Sequence, residues 1–122
     1  MSNRNRTAGN NYERFCVNRL KDRGYPEIVT SRAESKNMDN RGVDIFGPSL
    51  PYHVQCKNTV KDVKYHELLN EERLPTDKPL IIFHNKTEKK GKVFRKVGEY
   101  VIMHYETFDR LFQVQEVPSD KL

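Results

Sequence analysis

The chain has 122 residues, the length of one domain with one modest core. Lys and Arg total 22 against 17 for Asp and Glu, a formal charge of +5 that favours a polyanionic partner such as nucleic acid. No apolar stretch approaches the roughly 20 residues of a membrane span. The N-terminus also lacks the apolar core of a signal peptide, so we expect a cytoplasmic protein with no membrane partner.

Residues 1–9 are polar and contain Arg4 and Arg6, which predicts a flexible basic arm that can touch DNA. Residues 10–115 carry the apolar patterning of a single folded domain. Residues 116–122 come after the patterned region and are predicted to form a tail. The sequence therefore predicts one folded unit between two loose ends.

A first helix is predicted to begin at Asn10 or Asn11, either of which can cap it, and to end at Gly24 and Pro26. Apolar residues recur at helical spacing within it, namely Tyr12, Phe15, Cys16 and Leu20. These residues are expected to form the buried face of the helix.

Three short strands are predicted next, separated by a loop and a turn. Residues 28–31 form the first strand, and residues 32–41 form a loop rich in Ser, Asn and charge. The strands at residues 43–46 and 53–57 are joined by residues 47–51, which are dense in Gly and Pro. We therefore expect the last two strands to form a hairpin.

The second half of the chain predicts two helices and two strands. The apolar spacing of residues 60–69 indicates a weaker helix, residues 79–83 a strand buried on both faces, and residues 99–104 a further strand. Thr107 can cap a final helix. The predicted order is αβββαββα, an α/β fold with a mixed β-sheet flanked by helices on both sides.

The segment 84–98 carries as much charge as the whole chain. Its basic residues are Lys86, Lys89, Lys90, Lys92, Arg95 and Lys96, against a single acidic residue, Glu88. Such a block is often only a solvated loop or hairpin, and binding of a polyanion is the leading functional interpretation. The predicted phosphate contacts are Lys86, Lys89, Lys90, Lys92, Arg4, Arg6 and Arg32.

Cys16 and Cys56 lie inside apolar patterns without the spacing of a metal site, so both are predicted to be buried free thiols. The four histidines are scattered along the chain and include no pair at helical spacing. A zinc site is therefore not expected.

Asp44, Gln55 and Lys57 form the most informative pattern. An acidic residue in an apolar strand is costly to bury unless it is paired or binds a metal. Because strand side chains alternate, Gln55 and Lys57 point to one face, and the edge position of Glu13 on the first helix points it towards Asp44. Taken singly, each residue also has a structural interpretation: Asp44 as a member of an ion pair, Gln55 and Lys57 as the solvated face of a strand, and Glu13 as a charge that complements the helix dipole.

Together these residues resemble the active site of the PD-(D/E)XK nuclease superfamily, which implies a restriction-endonuclease-like core. Residues 9–14, 30–32 and 41–44 are similar to archaeal-type Holliday-junction resolvases and to small phage endonucleases of the same group. The resemblance spans roughly residues 9–115.

The resemblance implies a metal-dependent DNA endonuclease that acts on branched DNA in recombination, using Mg²⁺ or, in its place, Mn²⁺. Two symmetric cuts would require a homodimer. A phage-encoded protein would work in the cytoplasm of its host. The implied catalytic residues are Asp44, Gln55, Lys57, Glu13 and Ser31, of which Asp44, Gln55 and Glu13 would bind the metal.

Two positions depart from the family pattern. Val43 replaces the proline of the motif, and Gln55 replaces the glutamate that a resolvase carries. Gln-x-Lys is typical of Mrr-type restriction nucleases, so a nuclease acting on duplex DNA is the nearest alternative. A DNA-binding module with an inactive site is the alternative of another class, and RNA as substrate stays open.

Overall fold

The computed structural model describes residues 3–113, with side chains from residue 6 onward, so the predicted tail at 116–122 and the side chain of Arg4 lie outside the described part. Its elements are α1 (Asn3–Asp22), β1 (Val29–Thr30), α2 (Ser31–Glu34), α3 (Lys36–Asn40), β2 (Ile45–Phe46), β3 (His53–Thr59), α4 (Tyr65–Leu69), β4 (Leu80–Lys90), β5 (Val93–Ile102) and α5 (Tyr105–Phe112). Between residues 3 and 113, no helix is both long and apolar enough to cross a membrane.

The five strands form one mixed sheet in the order β1-β2-β3-β4-β5. β3 and β4 are parallel, and the other three neighbouring pairs are antiparallel. The crossover between the two parallel strands contains α4. The predicted α/β class with a mixed sheet is therefore confirmed, and β2 and β3 form the predicted hairpin.

The first helix is longer than predicted. It begins at Asn3 and not at Asn10 or Asn11, so residues 3–9 form its first two turns in place of a separate arm. Gly9 within these turns costs about 1 kcal/mol relative to Ala, which is too little to break a helix. Ala8 also accepts a hydrogen bond through its carbonyl from Asn58 Nδ2 of β3, at 3.4 Å.

The loop predicted at residues 32–41 is wrong, because this segment forms most of two short helices. Ser31 opens α2 where a strand residue was expected. Ser35 caps α3, since its hydroxyl accepts a hydrogen bond from the Met38 N–H at 3.2 Å. With these helices the observed order is αβααββαββα.

The basic segment 84–98 lies within one long antiparallel hairpin made by β4 and β5. Gly91 occupies the turn with φ 62°, a conformation that glycine adopts without strain. The predicted cap at Thr107 is wrong, since α5 begins at Tyr105 and Thr107 lies buried inside its first turn.

The main core lies between α1 and one face of the sheet. Cys16 and Leu20 of α1 pack against Val54, Ile81 and Phe83 of β3 and β4. Cys16 is buried and Cys56 is half-buried against the same core, and both are free thiols. Because strand side chains alternate, Gln55 and Lys57 point to the opposite face of β3.

Candidate active site

Three predicted site residues lie where β1, β2 and β3 adjoin: Ser31 follows β1, Asp44 precedes β2, and Gln55 lies on β3. Ile45 pairs with Val54, the residue before Gln55, and the Asp44 N–H also donates to the Val54 carbonyl at 2.8 Å. Ser31 is opposite Asp44 on the other side, and its N–H donates to the Asp44 carbonyl at 2.8 Å. Backbone hydrogen bonds thus hold Asp44 between Ser31 and the segment of β3 that carries Gln55.

Asp44 directly precedes β2, and its carboxylate lies against the backbone of β3. Its Oδ2 accepts a hydrogen bond from the Cys56 N–H at 2.8 Å. Burial raises the pKa of Asp44, and this effect outweighs the opposing hydrogen bond from Cys56 and the positive charge of Lys57. The fold therefore holds Asp44 where its charged form is disfavoured.

Glu13 reaches the same site from α1, and its side chain is only 14% exposed. Burial raises the pKa of Glu13 to about 7, and the negative charge of Asp44 is the second cause. Arg32 opposes this shift, with its Nε 3.8 Å from Glu13 Oε2. Two carboxylates that repel each other thus share one partly buried region, and the positive charge of Lys57 acts on one of them, Asp44.

Gln55 is 5% exposed, and its Oε1 has no hydrogen-bond donor within the described part of the chain. Leaving a buried polar group without a partner costs about 1–3 kcal/mol. Native proteins usually satisfy such groups, so the Gln55 oxygen is available to an ordered water or to a ligand. An amide oxygen can serve there as a neutral metal ligand.

Asp39 is a site residue that the sequence did not reveal. It lies on α3, within the segment predicted to be a loop, and its Oδ1 accepts a hydrogen bond from Ser31 Oγ at 3.4 Å. Its negative charge contributes to the raised pKa values of both Glu13 and Asp44. The local sequence signal for the helix that carries Asp39 was the ability of Ser35 to cap it.

The donor set fits a magnesium ion better than a transition metal. Among residues 3–113, no three His, Cys, Asp or Glu side chains form a metal-binding group. Mg²⁺ is commonly held by one or two carboxylates together with substrate phosphate and water. Glu13 and Asp44 can supply the carboxylates, and Gln55 can supply the amide oxygen.

The predicted phosphate contacts divide into exposed side chains and side chains that already have a partner within the protein. Lys90 and Lys92 are exposed at the turn of the β4–β5 hairpin, and Arg6 is exposed on the first turns of α1. Lys86 is ion-paired with Asp62.

Two further basic side chains of the predicted set already have partners. Arg32 lies beside Glu13, and Lys89 lies over the Phe94 ring at 5.8 Å from its centroid. Arg6, Lys90 and Lys92 are therefore the side chains best placed for an external phosphate.

Comparisons with known protein families, with curated proteins and with solved structures found no match to this chain. Function is therefore inferred from the site itself. That site contains Asp44, bonded through its backbone to Ser31 and to Val54 beside Gln55, with Glu13 and Lys57 interacting electrostatically with Asp44.

Proposed function

We propose that the protein is a Mg²⁺-dependent DNA endonuclease of the PD-(D/E)XK type that acts on branched DNA. The supporting observation is that Glu13 and Asp44 both have raised pKa values, with the charge of Asp44 acting on Glu13 and the charge of Lys57 acting on Asp44. Gln55 lies between Val54 and Cys56, whose backbones bond to Asp44, and it adds a buried oxygen without a partner in the described part of the chain. Such perturbed carboxylates are more typical of a functional site than of a structural ion pair.

Each residue has a role in this proposal. Asp44 and Glu13 would hold Mg²⁺ through their carboxylates, and Gln55 would hold it through its amide oxygen. When bound, the metal supplies charge neutralisation at the phosphate and a more acidic water. The Lys57 ammonium, close enough to Asp44 to lower its pKa, orients that water and stabilises negative charge that develops on the phosphate.

Ser31 and Asp39 form the support of this site. Ser31 is fully buried, and it links α2 to Asp44 through its N–H and to Asp39 through its hydroxyl. Ser31 is therefore a positioning residue in this account and does not touch the reacting phosphate. This is a narrower role than the family resemblance implies for it.

A weak preference for base sequence follows from the distribution of positive charge. Exposed basic side chains at the hairpin turn and on α1 would contact phosphates, and phosphate contacts carry no base sequence. Cutting two strands of a junction symmetrically requires two sites, which a C2 homodimer provides.

The proposal is tested by incubating the protein in Mg²⁺ with a four-way junction and with linear duplex DNA of the same sequence. We expect cleavage of the junction by the wild type and a loss of at least about 100-fold in Asp44→Asn and Lys57→Ala. Asp109→Asn and Lys21→Ala, at exposed positions of α5 and α1, are the matched controls and should cleave normally. Unimpaired cleavage by Asp44→Asn would refute the proposal.

Gln55 favours one further candidate, an Mrr-like nuclease acting on duplex DNA. Equal or faster cleavage of the linear duplex in the same assay would support that candidate. A protein that binds junctions with steep salt dependence, but cleaves neither DNA in Mg²⁺ or Mn²⁺, would be a DNA-binding module with an inactive site.

A further inference from the structure

A cavity of about 450 Å³ lies on the sheet face that also carries Lys57, opposite α1. Its lining includes Val63, Tyr65, Tyr100 and Ile102, together with the polar residues His84 and Lys86. Tyr65 is 58% exposed and Tyr100 is 50% exposed. Two accessible aromatic rings thus line one apolar cavity.

Tyr100 is held against the sheet by the absence of a side chain at Gly98. A Cβ atom at Gly98 would lie 2.5 Å from Tyr100 Oη and 2.8 Å from its Cζ. The ring therefore extends over the backbone of β5, two residues before its own position. Half of the side chain stays open to a ligand.

The polar side of the cavity has defined hydrogen-bonding roles. The Thr59 hydroxyl donates to the Lys61 carbonyl at 2.7 Å, so it accepts from His84 Nε2 at 2.8 Å. Burial and the charge of Lys86 lower the pKa of His84, which favours the neutral imidazole. Lys86 is ion-paired with Asp62, whose exposed carboxylate can also accept from an amino group.

The strand register connects this cavity to the candidate active site. Lys57 pairs with His84, and His84 pairs with Tyr100, so the three residues form one row across β3, β4 and β5. Tyr100 is thus two strand spacings, about 10 Å, from Lys57. Gln55 lies in the next row on the same face.

We propose that this cavity binds the base of an unpaired DNA nucleotide next to the cleaved phosphate, stacked on Tyr65 and Tyr100. This inference rests on the proposed nuclease function. Stacking of a base on an aromatic side chain contributes about 1–3 kcal/mol and tolerates any base. A base inside a duplex must first be unpaired and unstacked, which costs free energy, so the cavity would favour a nucleotide that is already unpaired at a branch point.

The test measures binding in EDTA, where metal-dependent cleavage does not occur. The two probes are a branched DNA with one unpaired 2-aminopurine nucleotide at the branch point and a fully paired duplex of equal length. We expect the wild type to bind the branched probe about tenfold more tightly and to change the 2-aminopurine fluorescence as the base stacks.

Variants at the two rings should remove this preference. Tyr100→Leu and Tyr65→Leu should each weaken binding of the branched probe about tenfold and leave duplex binding unchanged, while Tyr100→Phe should behave as wild type. Gly98→Val should act like Tyr100→Leu, since it displaces the ring. Tyr105→Leu, at an exposed tyrosine of α5, is the matched control.

Equal affinity of the wild type for the two probes would overturn the inference. So would a Tyr65→Leu variant, folded by circular dichroism, that keeps the full preference for the branched probe. The proposed function fails separately: a protein that shows the tyrosine-dependent preference but does not cleave in Mg²⁺ binds branched DNA without being a nuclease. Cleavage without the preference refutes only the base-binding cavity.

Discussion

Glu99 contacts α1 and Glu13 belongs to it, and these two glutamates have opposite electrostatic environments. Glu99 of β5 accepts hydrogen bonds from Tyr12 at 2.7 Å, from Arg19 at 2.8 and 3.0 Å, and from Lys96 at 3.0 Å. Although burial opposes its ionisation, these donors lower the pKa of Glu99 to about 2. Burial and the charge of Asp44 instead raise the pKa of Glu13 to about 7.

The difference separates a structural carboxylate from a carboxylate that awaits a ligand. Around Glu99 the protein itself supplies every donor that the charge requires, so the group stabilises the packing of α1 on the sheet. Around Glu13 a second carboxylate and a partly exposed arginine leave the charge poorly compensated. Sites that bind cations or substrates are commonly less stable than their surroundings for this reason.

The largest expected effect is at Glu99. Glu99→Gln should lower the free energy of unfolding by about 2–3 kcal/mol at pH 7, because Tyr12 and Arg19 lose a charged acceptor. Chemical denaturation measures this loss. Glu88→Gln, in an exposed ion pair with Arg95 on the same hairpin, is the control and should cost under about 1 kcal/mol. Equal effects of the two variants would contradict a structural role of Glu99.

The opposite sign is expected at the candidate active site. Glu13→Gln should raise the free energy of unfolding by about 1–2 kcal/mol at pH 8 in EDTA, because it removes a buried charge next to Asp44. Denaturation of the wild type and the variant in parallel measures this difference. A loss of stability would show that Glu13 is satisfied in the folded protein.

Glu99 and Glu13 should also affect the stability of the protein in different pH ranges and with opposite signs. The folded-state pKa of Glu99 is below its ordinary value of 4.5, so its contribution is present above about pH 4.5 and is lost as the pH falls towards 2. The folded-state pKa of Glu13 is above 4.5, so its unfavourable contribution develops as the pH rises from about 4.5 through 7. The benefit of Glu13→Gln should therefore vanish near pH 4.5, and a benefit independent of pH would contradict this assignment.

A smaller effect is expected at Gln55. Gln55→Glu adds a negative charge to the metal site and should strengthen Mg²⁺ binding about tenfold, or about 1.4 kcal/mol. Titration calorimetry of both proteins measures this change, and equal affinities would refute a ligand role for position 55.

The smallest effect is expected at Asp39, which is exposed and acts on the site from α3. Asp39→Asn should stabilise the metal-free protein by about 0.5 kcal/mol at pH 8, since it removes one of the charges that raise the pKa values of Glu13 and Asp44. A larger gain than that of Glu13→Gln would mean that Asp39 is the dominant source of repulsion.

Much of the fold could be predicted from the sequence because its signals are local. The apolar spacing of α1, the alternation around Gln55 and the turn residues 47–51 depend on residues near one another in the chain. The start of α1 could not be predicted, because Asn10 and Asn11 are good caps and one glycine looks like a boundary. The contact of Ala8 with Asn58, fifty residues away, is not visible in either segment.

The candidate site, like the fold, could be predicted from the sequence only in part. Asp44 and Lys57 stand out because polar residues interrupt apolar strands, and the register then follows from the short turn between them. Asp39 could not be found, because its role depends on two short helices in a polar segment and on a contact with Ser31. Glu99 also bonds to Tyr12 and Arg19, which are 80 or more positions away in the chain, so no local pattern reveals these contacts.

The most direct test of a cation site between Glu13 and Asp44 is thermal unfolding at pH 8 with and without Mg²⁺. Binding to the folded state alone raises Tm with increasing Mg²⁺ concentration, so the wild type should show this rise and Glu88→Gln should match it. Asp44→Asn should lose the response and should itself melt higher than wild type in EDTA. A wild-type Tm that is insensitive to Mg²⁺, or an equal response in Asp44→Asn, would contradict the account.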